Sequence, residues 1–206
     1  MEGRIELPRS KSYDRDDAVI KACNAFWQHG YDALGVRALE ELTGLNRFAI
    51  QTEFGGKEGL FIEALDKYTQ ETETHLLQSL REGNLDQIEN LYKKLITLSP
   101  EPAQVFGCLM VNTVIENAVL LRSAIKERTD QHFKQLEDAI HSALSRAKTT
   151  GQIPSNFNIE EAVVFLVGST MGVQVMTRRA GSLDAAKPYV EMLVRTIKSW
   201  RTGIIS

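Results

Sequence analysis

The segment from Arg47 to Thr52 contains side chains whose chemistry suits the edges of DNA bases. Gln51 can pair with an adenine edge through both groups of its amide, Thr52 offers a hydroxyl and a methyl group, and Arg47 can reach a phosphate or a guanine. Lys57 follows at a predicted helix N-terminus, where the ammonium, the free N–H groups and the helix dipole favour a phosphate. A solvated helix cap is the alternative for Lys57. Whether these side chains meet DNA depends on the helices that position them.

The sequence has no comparable pattern for catalysis or for metal binding. It contains no nucleophile-elbow, metalloprotease or nucleotide-binding motif. The four histidines, His29, His75, His132 and His141, show no spacing typical of a metal site, either with each other or with the two cysteines. We therefore predict a protein that is not an enzyme and that needs no cofactor and no metal ion.

Short helices must position these side chains. Apolar spacing and end signals predict helices over 13–29, 36–43 and 47–53, with Gly44 ending the second and Asn46 capping the third. Two helices joined by a glycine-containing turn and preceded by a packing helix are the layout of a helix-turn-helix reader. The alternative is a plain helical corner in which apolar side chains bury each other. Those side chains are Val36, Leu39, Leu42, Leu45, Ile50 and Phe54.

The rest of the chain predicts longer helices, so the expected fold class is all-α. These helices are expected over 57–82, 85–98, 108–121, 123–149, 159–179 and 183–202. No segment alternates with the period of a β-strand. We expect a three-helix head with a helix-turn-helix in residues 1–56 and a larger bundle of about six helices in residues 57–206, linked by the helix that begins at 57.

Four motifs in the head share one order and spacing. They are F-W-x-x-G-Y, V-R-x-L, G-L-N and F-G-x-K-E-x-L-F, beginning at Phe26, Val36, Gly44 and Phe54. With these motifs, residues 18–65 resemble the N-terminal domain of the tetracycline-repressor (TetR) family of transcription regulators. The resemblance implies that the helix from Arg47 enters the major groove of DNA, with Ile50 turned into the core. The DNA-binding residues that it implies are Arg37, Asn46, Arg47, Phe48, Gln51, Thr52 and Lys57.

The resemblance also implies a DNA-binding transcription regulator, expected to be a ligand- or thiol-responsive repressor that acts as a homodimer on a palindromic operator. The family usually has tyrosine and histidine where this sequence has Gln51 and Thr52 or the acidic Glu53. Residues 1–68 carry nine Arg or Lys against twelve Asp or Glu, so any basic patch must be local. Such a patch would combine Arg4, Arg9, Lys11, Arg37, Arg47 and Lys57. The alternative function is a helical ligand-binding or protein-interaction module that has lost DNA binding.

By the same resemblance, residues 57–206 bind an unknown small-molecule effector and form the dimer. Gly168 and Gly172 permit close helix approach, and the last two helices supply apolar side chains for a partner. The expected dimer residues are Val164, Gly168, Met171, Gly172, Val175, Tyr189, Leu193 and Trp200. A two-fold dimer would set its reading helices about one DNA turn apart, roughly 34–36 Å. The alternative is that these side chains form only the core of one chain.

The segment from Gly107 to Asn112 reads G-C-L-x-V-N, which resembles a segment in one branch of the family where the cysteine can sense oxidants or electrophiles. Cys108 would lie at a helix N-terminus, where the dipole favours the thiolate. The alternative is a small buried apolar residue. Cys23, on the apolar face of the first helix, is expected in the core. An effector cavity would be lined by Phe106, Met110, Asn112, Glu116, Phe133 and Phe165.

Composition bounds the cellular setting. The chain has 206 residues, a net charge of −3 and two cysteines far apart, which favours a reducing compartment and predicts a cytoplasmic protein. The first twelve residues carry no apolar run of the kind found in a secretory signal. The most apolar run, residues 162–176, is short of the ~20 residues that span a bilayer. We therefore expect a buried helix there and no membrane partner.

Overall fold

The described part of the chain is helical. The structure, a computed structural model, describes residues 13–97 and 105–202, and these residues contain no strand. In chain order the elements are α1 (Arg15–His29), α2 (Val36–Thr43), α3 (Arg47–Phe54), α4 (Lys57–Thr72), a π-helical turn (Glu73–Leu77), α5 (Gln78–Glu82), α6 (Leu85–Leu95), α7 (Leu109–Leu120), α8 (Ser123–Thr149), α9 (Ile159–Ala180), a 3-10 turn (Leu183–Ala186) and α10 (Lys187–Ser199). The predicted all-α fold, with three short helices followed by longer ones, is confirmed.

Capping residues set the helix ends in the head. The Asp14 carboxylate accepts hydrogen bonds from the N–H groups of Asp16 and Asp17, at 2.8 and 3.0 Å, and so begins α1. Gly44 ends α2 with a left-handed backbone, φ 77°, which costs glycine little because it has no Cβ. These signals are local in sequence, which is why the bounds of α1, α2 and α3 follow the prediction closely.

Two stretches depart from the predicted long helices. The helix predicted over 57–82 contains a π-helical turn at Glu73–Leu77, so α4 and α5 form one rod with a local irregularity. The helix predicted over 183–202 begins as a 3-10 turn at Leu183–Ala186 and becomes α-helical from Lys187. Pro188 lies in the first turn of α10, where a missing N–H costs no internal hydrogen bond.

One group of buried apolar side chains holds the head together. The ring of Phe26 on α1 lies 4.6 Å from that of Phe61 on α4, centroid to centroid. Leu39 of α2 and Ile50 of α3 are fully buried in the same group, and so is Met110 of α7. The head core therefore extends past residue 56 into α4 and α7. The domain division at 56 and 57 remains a proposal.

A second group forms the core of the larger bundle. Tyr92 of α6 is fully buried, and its hydroxyl donates a hydrogen bond to the carbonyl of Leu166 on α9 at 2.7 Å. Alanines of α8, such as Ala139 and Ala143, let the neighbouring helices approach it, and Ile197 of α10 closes the group. This core fixes the positions of α9 and α10 relative to α8.

The longest apolar helix, α9, has 22 residues and a mean hydropathy of 1.4 over its most apolar window, so by length and composition it is compatible with a membrane span. It is longer than the run identified from the sequence. Its inward face, which includes Val163 and Leu166, is buried against the bundle. A core helix meets the same criterion, and the expectation of a packed helix agrees with this inward face.

Candidate nucleic-acid interface

The turn between α2 and α3 is held by hydrogen bonds and one buried side chain. The N–H of Gly44 donates to the carbonyl of Glu40 at 3.0 Å, and Leu45 is buried in the head core. The Asn46 side chain then accepts the N–H of Ala49 at 2.8 Å, which caps α3. The direction of α3 is therefore fixed from both ends of the turn.

The two faces of α3 differ sharply in exposure. Ala49, Ile50 and Phe54 are buried against the head. The opposite face presents four exposed side chains: Arg47, Phe48, Gln51 and Thr52. Phe48 is 76% exposed, which is unusual for a large apolar side chain in a well-packed domain. The predicted orientation of Ile50 towards the core is confirmed, and the outer face of α3 is open in the described part of the chain.

Thr52 has a restricted hydrogen-bonding role. Its hydroxyl donates to the carbonyl of Phe48 at 2.8 Å, within the helix. The donor is therefore committed, and the hydroxyl oxygen can only accept from an outside group. The methyl group remains for apolar contact, which suits the methyl group of thymine.

Acidic side chains next to α3 have partners within the protein. Glu40 accepts the backbone N–H of Arg47 at 2.6 Å, so its carboxylate lies at the positive N-terminus of α3. Glu53 accepts a hydrogen bond from the hydroxyl of Tyr13, and this bond raises the pKa of Tyr13. Arg37 is almost fully exposed and lies 3.4 Å from Glu41. The guanidinium of Arg37 is thus exposed, while the carboxylates of Glu40 and Glu53 are hydrogen bonded within the head.

Lys57 lies in the first turn of α4, next to the aromatic ring of Tyr31. Its ammonium is 4.3 Å from the ring centroid, a cation–π contact. Partial burial lowers the pKa of Lys57. Gly56 provides no side-chain cap, so the first N–H groups of α4 receive no side-chain capping bond. Arg4, Arg9 and Lys11, which were expected to extend the basic patch, lie outside the described residues.

A carboxylate of α7 joins the larger bundle to the head. Glu116 accepts the backbone N–H groups of Tyr31 and Asp32, at 2.8 and 2.6 Å, one with each oxygen. Arg122, just after α7, pairs with Glu58 and lies over the Tyr31 ring at 5.1 Å. Glu116, which was expected to line an effector cavity, does line a groove of about 560 Å³. Its carboxylate also acts as a bridge to the turn after α1.

A cavity of about 430 Å³ opens beside this junction, between α1, α4, α6 and α9. Its walls combine aromatic and aliphatic side chains with a few polar ones. The lining residues are Trp27, Tyr68, Glu71, Thr72, His75, Leu76, Lys94, Leu95, Gly107, Gln174 and Leu183. Trp27 belongs to α1 of the head, and its indole N–H donates to the carbonyl of Gly107 at 3.0 Å. The cavity therefore touches both the head and the bundle.

The expected effector residues do not form this lining. Met110 is buried in the head core, Phe133 packs edge-on against His132 with centroids 5.5 Å apart, and Phe165 lies 6.1 Å from Trp200 on the far side of α9. Asn112 donates to the carbonyl of Phe106 at 3.0 Å. Asn112 and Glu116 together line a separate groove of about 560 Å³. The structure therefore does not bring all six expected residues into one cavity, and the effector site remains a proposal. The lining residues Trp27 and Tyr68 were missed because helical spacing does not reveal which elements meet.

Two family models match separate parts of the chain. One, for bacterial regulatory proteins of the tetR family, matches residues 21–64, and one for the tetracyclin repressor-like C-terminal domain matches residues 84–193, more than half of the chain. The chain belongs to the TetR family. It is therefore a DNA-binding transcriptional regulator, and the family expectation from the sequence is confirmed.

Relatives of this TetR-family chain include transcriptional repressors. The HTH-type transcriptional repressor ComR of Escherichia coli K12 is 29% identical, with 93% of this chain and 91% of ComR covered. The HTH-type transcriptional repressor AcnR of Corynebacterium glutamicum is 28% identical, with 89% and 92% covered. These members are regulators and not enzymes.

Solved structures of TetR-family regulators share the fold. A cysteine mutant of CifR, complexed with 26 bp double-strand operator DNA, has a TM-score of 0.78 at 22% identity, covering 91% of this chain and 98% of CifR. The reduced form of E. coli NemR has a TM-score of 0.75 at 16% identity, with 91% and 97% covered. At these identities the likeness establishes the architecture.

Cys108 caps the N-terminus of α7, as the sequence of this TetR-family chain predicts, yet its environment opposes ionisation. The side chain is 8% exposed, and burial raises the pKa of the Cys108 thiol. The hydroxyl of Tyr68 donates to the Cys108 sulfur at 3.3 Å, and this bond and the backbone N–H groups of Met110 and Val111 lower the pKa by less than burial raises it. The helix end thus favours the thiolate as expected, but burial outweighs it, and the sensor role of Cys108 stays a prediction.

The expected dimer face is largely exposed on α9 and α10. Of the expected residues, Val164, Val175 and Tyr189 are exposed, and the neighbouring apolar side chains Phe165 and Met192 are exposed as well. Gly168 has open space beside it, and Met171 and Gly172 are half-buried. Leu193 was expected on the dimer face, but it is 3% exposed, because it lies on the side of α10 that packs in the bundle core. Trp200 is half-buried against Phe157.

Histidines and acids do not assemble into a metal site in residues 13–97 and 105–202, where no group of three possible ligands lies together. His132 is buried beside Tyr68, with ring centroids 5.8 Å apart. Burial lowers its pKa to about 4. His132 is therefore a neutral core residue at physiological pH.

Proposed function

We propose that this protein is a homodimeric repressor that reads a palindromic operator with α3 and releases it when a small effector binds the larger bundle. In this proposal, residues 1–56 form the DNA-binding domain, and residues 57–206 bind the effector and form the dimer. The observation that carries the proposal is the open outer face of α3, on a turn whose geometry is fixed by Gly44, Leu45 and Asn46. In this proposal the protein is cytoplasmic, where it can reach operator DNA.

In this proposal the exposed side chains of α3 contact the edges of the DNA bases. Gln51 supplies donor and acceptor for an adenine edge, and Arg47 supplies donors for guanine or a phosphate. Phe48 and the methyl group of Thr52 offer apolar contact to thymine. These contacts would distinguish base pairs, since each bidentate contact is worth about 1–3 kcal/mol of discrimination.

Phosphate contacts position the head on the duplex. Arg37 is exposed on α2, and the first N–H groups of α4 receive no side-chain cap. Lys57 is in the first turn of the same helix. The amide N–H groups of Asn46 stay available because only the side-chain oxygen is used in capping α3. These groups supply the local positive surface that the acidic overall balance of the head requires.

The cavity supports a ligand response. Its volume of about 430 Å³ lies in the range of small-molecule sites, and its aromatic and aliphatic walls suit an organic molecule with an apolar body. A ligand there would contact Trp27 of the head and Gln174 of α9 together. An effector that prefers the conformation with wrongly spaced heads would lower operator affinity by its differential binding to the two states, typically ~1–3 kcal/mol.

A thiol response receives less support than a ligand response. The G-C-L-x-V-N resemblance favours it, but the Cys108 thiol is buried and its raised pKa keeps it protonated. We therefore propose the ligand-responsive form. The module without DNA binding is also disfavoured, since it leaves the exposed set on α3 without a role.

Footprinting of the purified protein on its own promoter region tests the proposal. We expect protection of one palindrome at low salt and without ligand, with the two half-sites about one helical turn apart, roughly 34–36 Å. Binding should weaken steeply with salt, by about one log unit per log unit for each phosphate contact. A protein that protects no site, and whose weak binding is insensitive to salt, would support the module without DNA function.

A further inference from the structure

We infer that the outward face of α7 is a second contact surface for another copy of this chain. The face consists of Val114, Ile115, Val119 and Leu121, all exposed in the single chain. Val119 is 83% exposed and Leu121 is 82% exposed, the highest values among the large apolar side chains of residues 13–97 and 105–202. The inference rests on the proposed homodimer and specifies what the dimer covers.

The composition of α7 requires a cover for this face. The helix reads LMVNTVIENAVL, and Glu116 is the one charged residue in it. The inward side, with Leu109 and Met110, already lies in the head core. The outward side carries neighbouring exposed apolar side chains, and a contiguous exposed apolar patch marks an interaction site. The outward face of α7 is therefore expected to be buried in the assembled protein.

Continuity with the proposed dimer face identifies the occupant. Ile115 of α7 and Val175 of α9 line one groove of about 560 Å³, together with Asn112 and Arg178. Val175 also lies on the exposed apolar side of α9. A copy seated on α9 and α10 would reach α7 across this groove, whose lining also includes the charged Glu116 and Arg179. Stable interfaces take about 20–30 residues from each side, which favours a face broader than α9 and α10 alone.

The chemistry of the face suits a two-fold interface. In a two-fold dimer the same patch is presented by both copies, so a charged patch would meet its own charge. The four side chains of the α7 face are uncharged, and self-association therefore carries no like-charge repulsion. Leu121 is also held in place: its φ is 54°, and its N–H donates to the carbonyl of Asn117 at 2.8 Å. Its side chain is thus presented outward by a fixed backbone.

This contact would link the partner to the DNA-binding head. Glu116 follows Ile115 directly and binds the N–H groups of Tyr31 and Asp32. One side of α7 therefore fixes the head, and the other side contacts the second copy. The position of the partner on α7 would set the separation of the two heads, and hence the spacing at which α3 meets DNA.

Thiol labelling of the full chain tests the inference. Val119→Cys places a thiol on the α7 face, and Ile20→Cys, at a residue 40% exposed on α1, is the control. The native Cys23 and Cys108 are buried and give a low background. By exposure in the single chain, position 119 should react with a maleimide faster than position 20. In the dimer we expect the reverse order, with position 119 slower by about tenfold or more.

Splitting the dimer identifies what protects position 119. Val164→Asp places a charge on the exposed side of α9 and should yield monomer, which light scattering of the same samples measures. Protection should be lost in that monomer. Protection that persists there means cover by the same chain, and rapid labelling within a verified dimer leaves α7 outside the interface; either result overturns the inference while the homodimer stands. An unmodified chain that is monomeric at tens of micromolar overturns both.

A charge on α7 gives an independent readout. Val119→Asp should raise the dimer dissociation constant by about tenfold or more, because a buried charge without a partner is costly. Ile20→Asp should leave it unchanged. Thermal melting of Val119→Asp in the Val164→Asp background controls for folding. Because position 119 is exposed in the monomer, the melting temperature of the monomer should not change. An unchanged dissociation constant in Val119→Asp contradicts the inference.

Discussion

At the residue scale, Cys108 shows how burial can outweigh a favourable helix end. Its place at the N-terminus of α7 agrees with the sequence motif, and the backbone N–H groups there do favour a thiolate. Desolvation is nevertheless the largest effect on its pKa, and it acts in the opposite direction. Position along a helix is readable from sequence, whereas burial depends on α4 and α1 packing over the sulfur.

We predict that Cys108 is unreactive in the folded protein. At neutral pH a maleimide should label it at least about a hundredfold more slowly than in urea, because the nucleophile is the thiolate and the buried thiol stays protonated. Mass spectrometry of labelled samples measures both rates. Operator release by an electrophile should be equally weak in the unmodified protein and in Cys108→Ser. Fast release that Cys108→Ser abolishes would restore the thiol-sensor hypothesis.

His132 predicts a loss of stability in acid. Burial lowers its pKa to about 4, whereas an unfolded histidine titrates near 6.5. The unfolded chain therefore binds this proton first as the pH falls. The contribution of neutral His132 is fully present above pH 6.5 and is lost towards pH 4, by up to about 3 kcal/mol.

Urea unfolding between pH 7.5 and 4.5 measures this effect. The free energy of unfolding should fall with decreasing pH in the unmodified protein and in His141→Gln, whose imidazole is exposed. In His132→Gln the free energy of unfolding should depend less steeply on pH, by the equivalent of up to one bound proton. A His132→Gln variant that keeps the full slope would assign the pH dependence to other groups.

At the element scale, α7 connects the bundle to the head through Glu116. Because both carboxylate oxygens accept backbone N–H groups, at 2.8 and 2.6 Å, the turn after α1 is tied to α7. Charge-assisted bonds of this kind are roughly twice as strong as neutral ones. Movement of α7 should therefore be transmitted to the head.

Hydrogen exchange tests this connection. Glu116→Ala should speed exchange at the amides of Tyr31 and Asp32 by about tenfold or more, because each lost bond is worth about 1.5–3 kcal/mol. Glu127→Ala, on the exposed side of α8, is the matched control and should leave both amides unchanged. Unaltered protection at Tyr31 and Asp32 in Glu116→Ala would remove the proposed link between α7 and the head.

Local signals explain how much of these elements could be predicted. Gly44, Asn46 and Asp14 mark helix ends through their own conformation and hydrogen bonds, so the bounds of α1–α3 followed from sequence. The π-helical turn at Glu73–Leu77 has no such local marker, and the predicted helix ran through it. Helical spacing identified an apolar stripe on α10, yet whether Leu193 faces a partner or the core depends on α6 and α9.

The part of the candidate site that depends on local sequence could be predicted, and the part that depends on helix packing could not. The outer face of α3 follows from residues that are neighbours in the helix, such as Phe48 and Gln51. The cavity instead combines Trp27, Tyr68 and Gln174, which are far apart in the sequence. These residues come together only because α1, α4 and α9 pack against each other. The spacing of apolar residues in one sequence does not predict how helices pack.

At the scale of the whole molecule, the proposed function depends on two heads held at one spacing. The net charge of −3 gives no general attraction to DNA, so binding must come from the local cations and from the fit of α3. Within one chain, the cavity and the Glu116 bridge both join the head to the larger bundle. In the proposed mechanism, a ligand changes the spacing and not the reading surface itself.

The central claim is that the outer face of α3 reads the operator, and the most direct measurement is the affinity of a Gln51→Ala, Thr52→Ala double variant. Gln131→Ala, an exposed glutamine on α8, is the matched control. Binding isotherms on the footprinted operator and on a random duplex should show at least about tenfold weaker operator binding for the double variant, with random binding unchanged. Equal losses on both duplexes, or no loss on the operator, would contradict the claim.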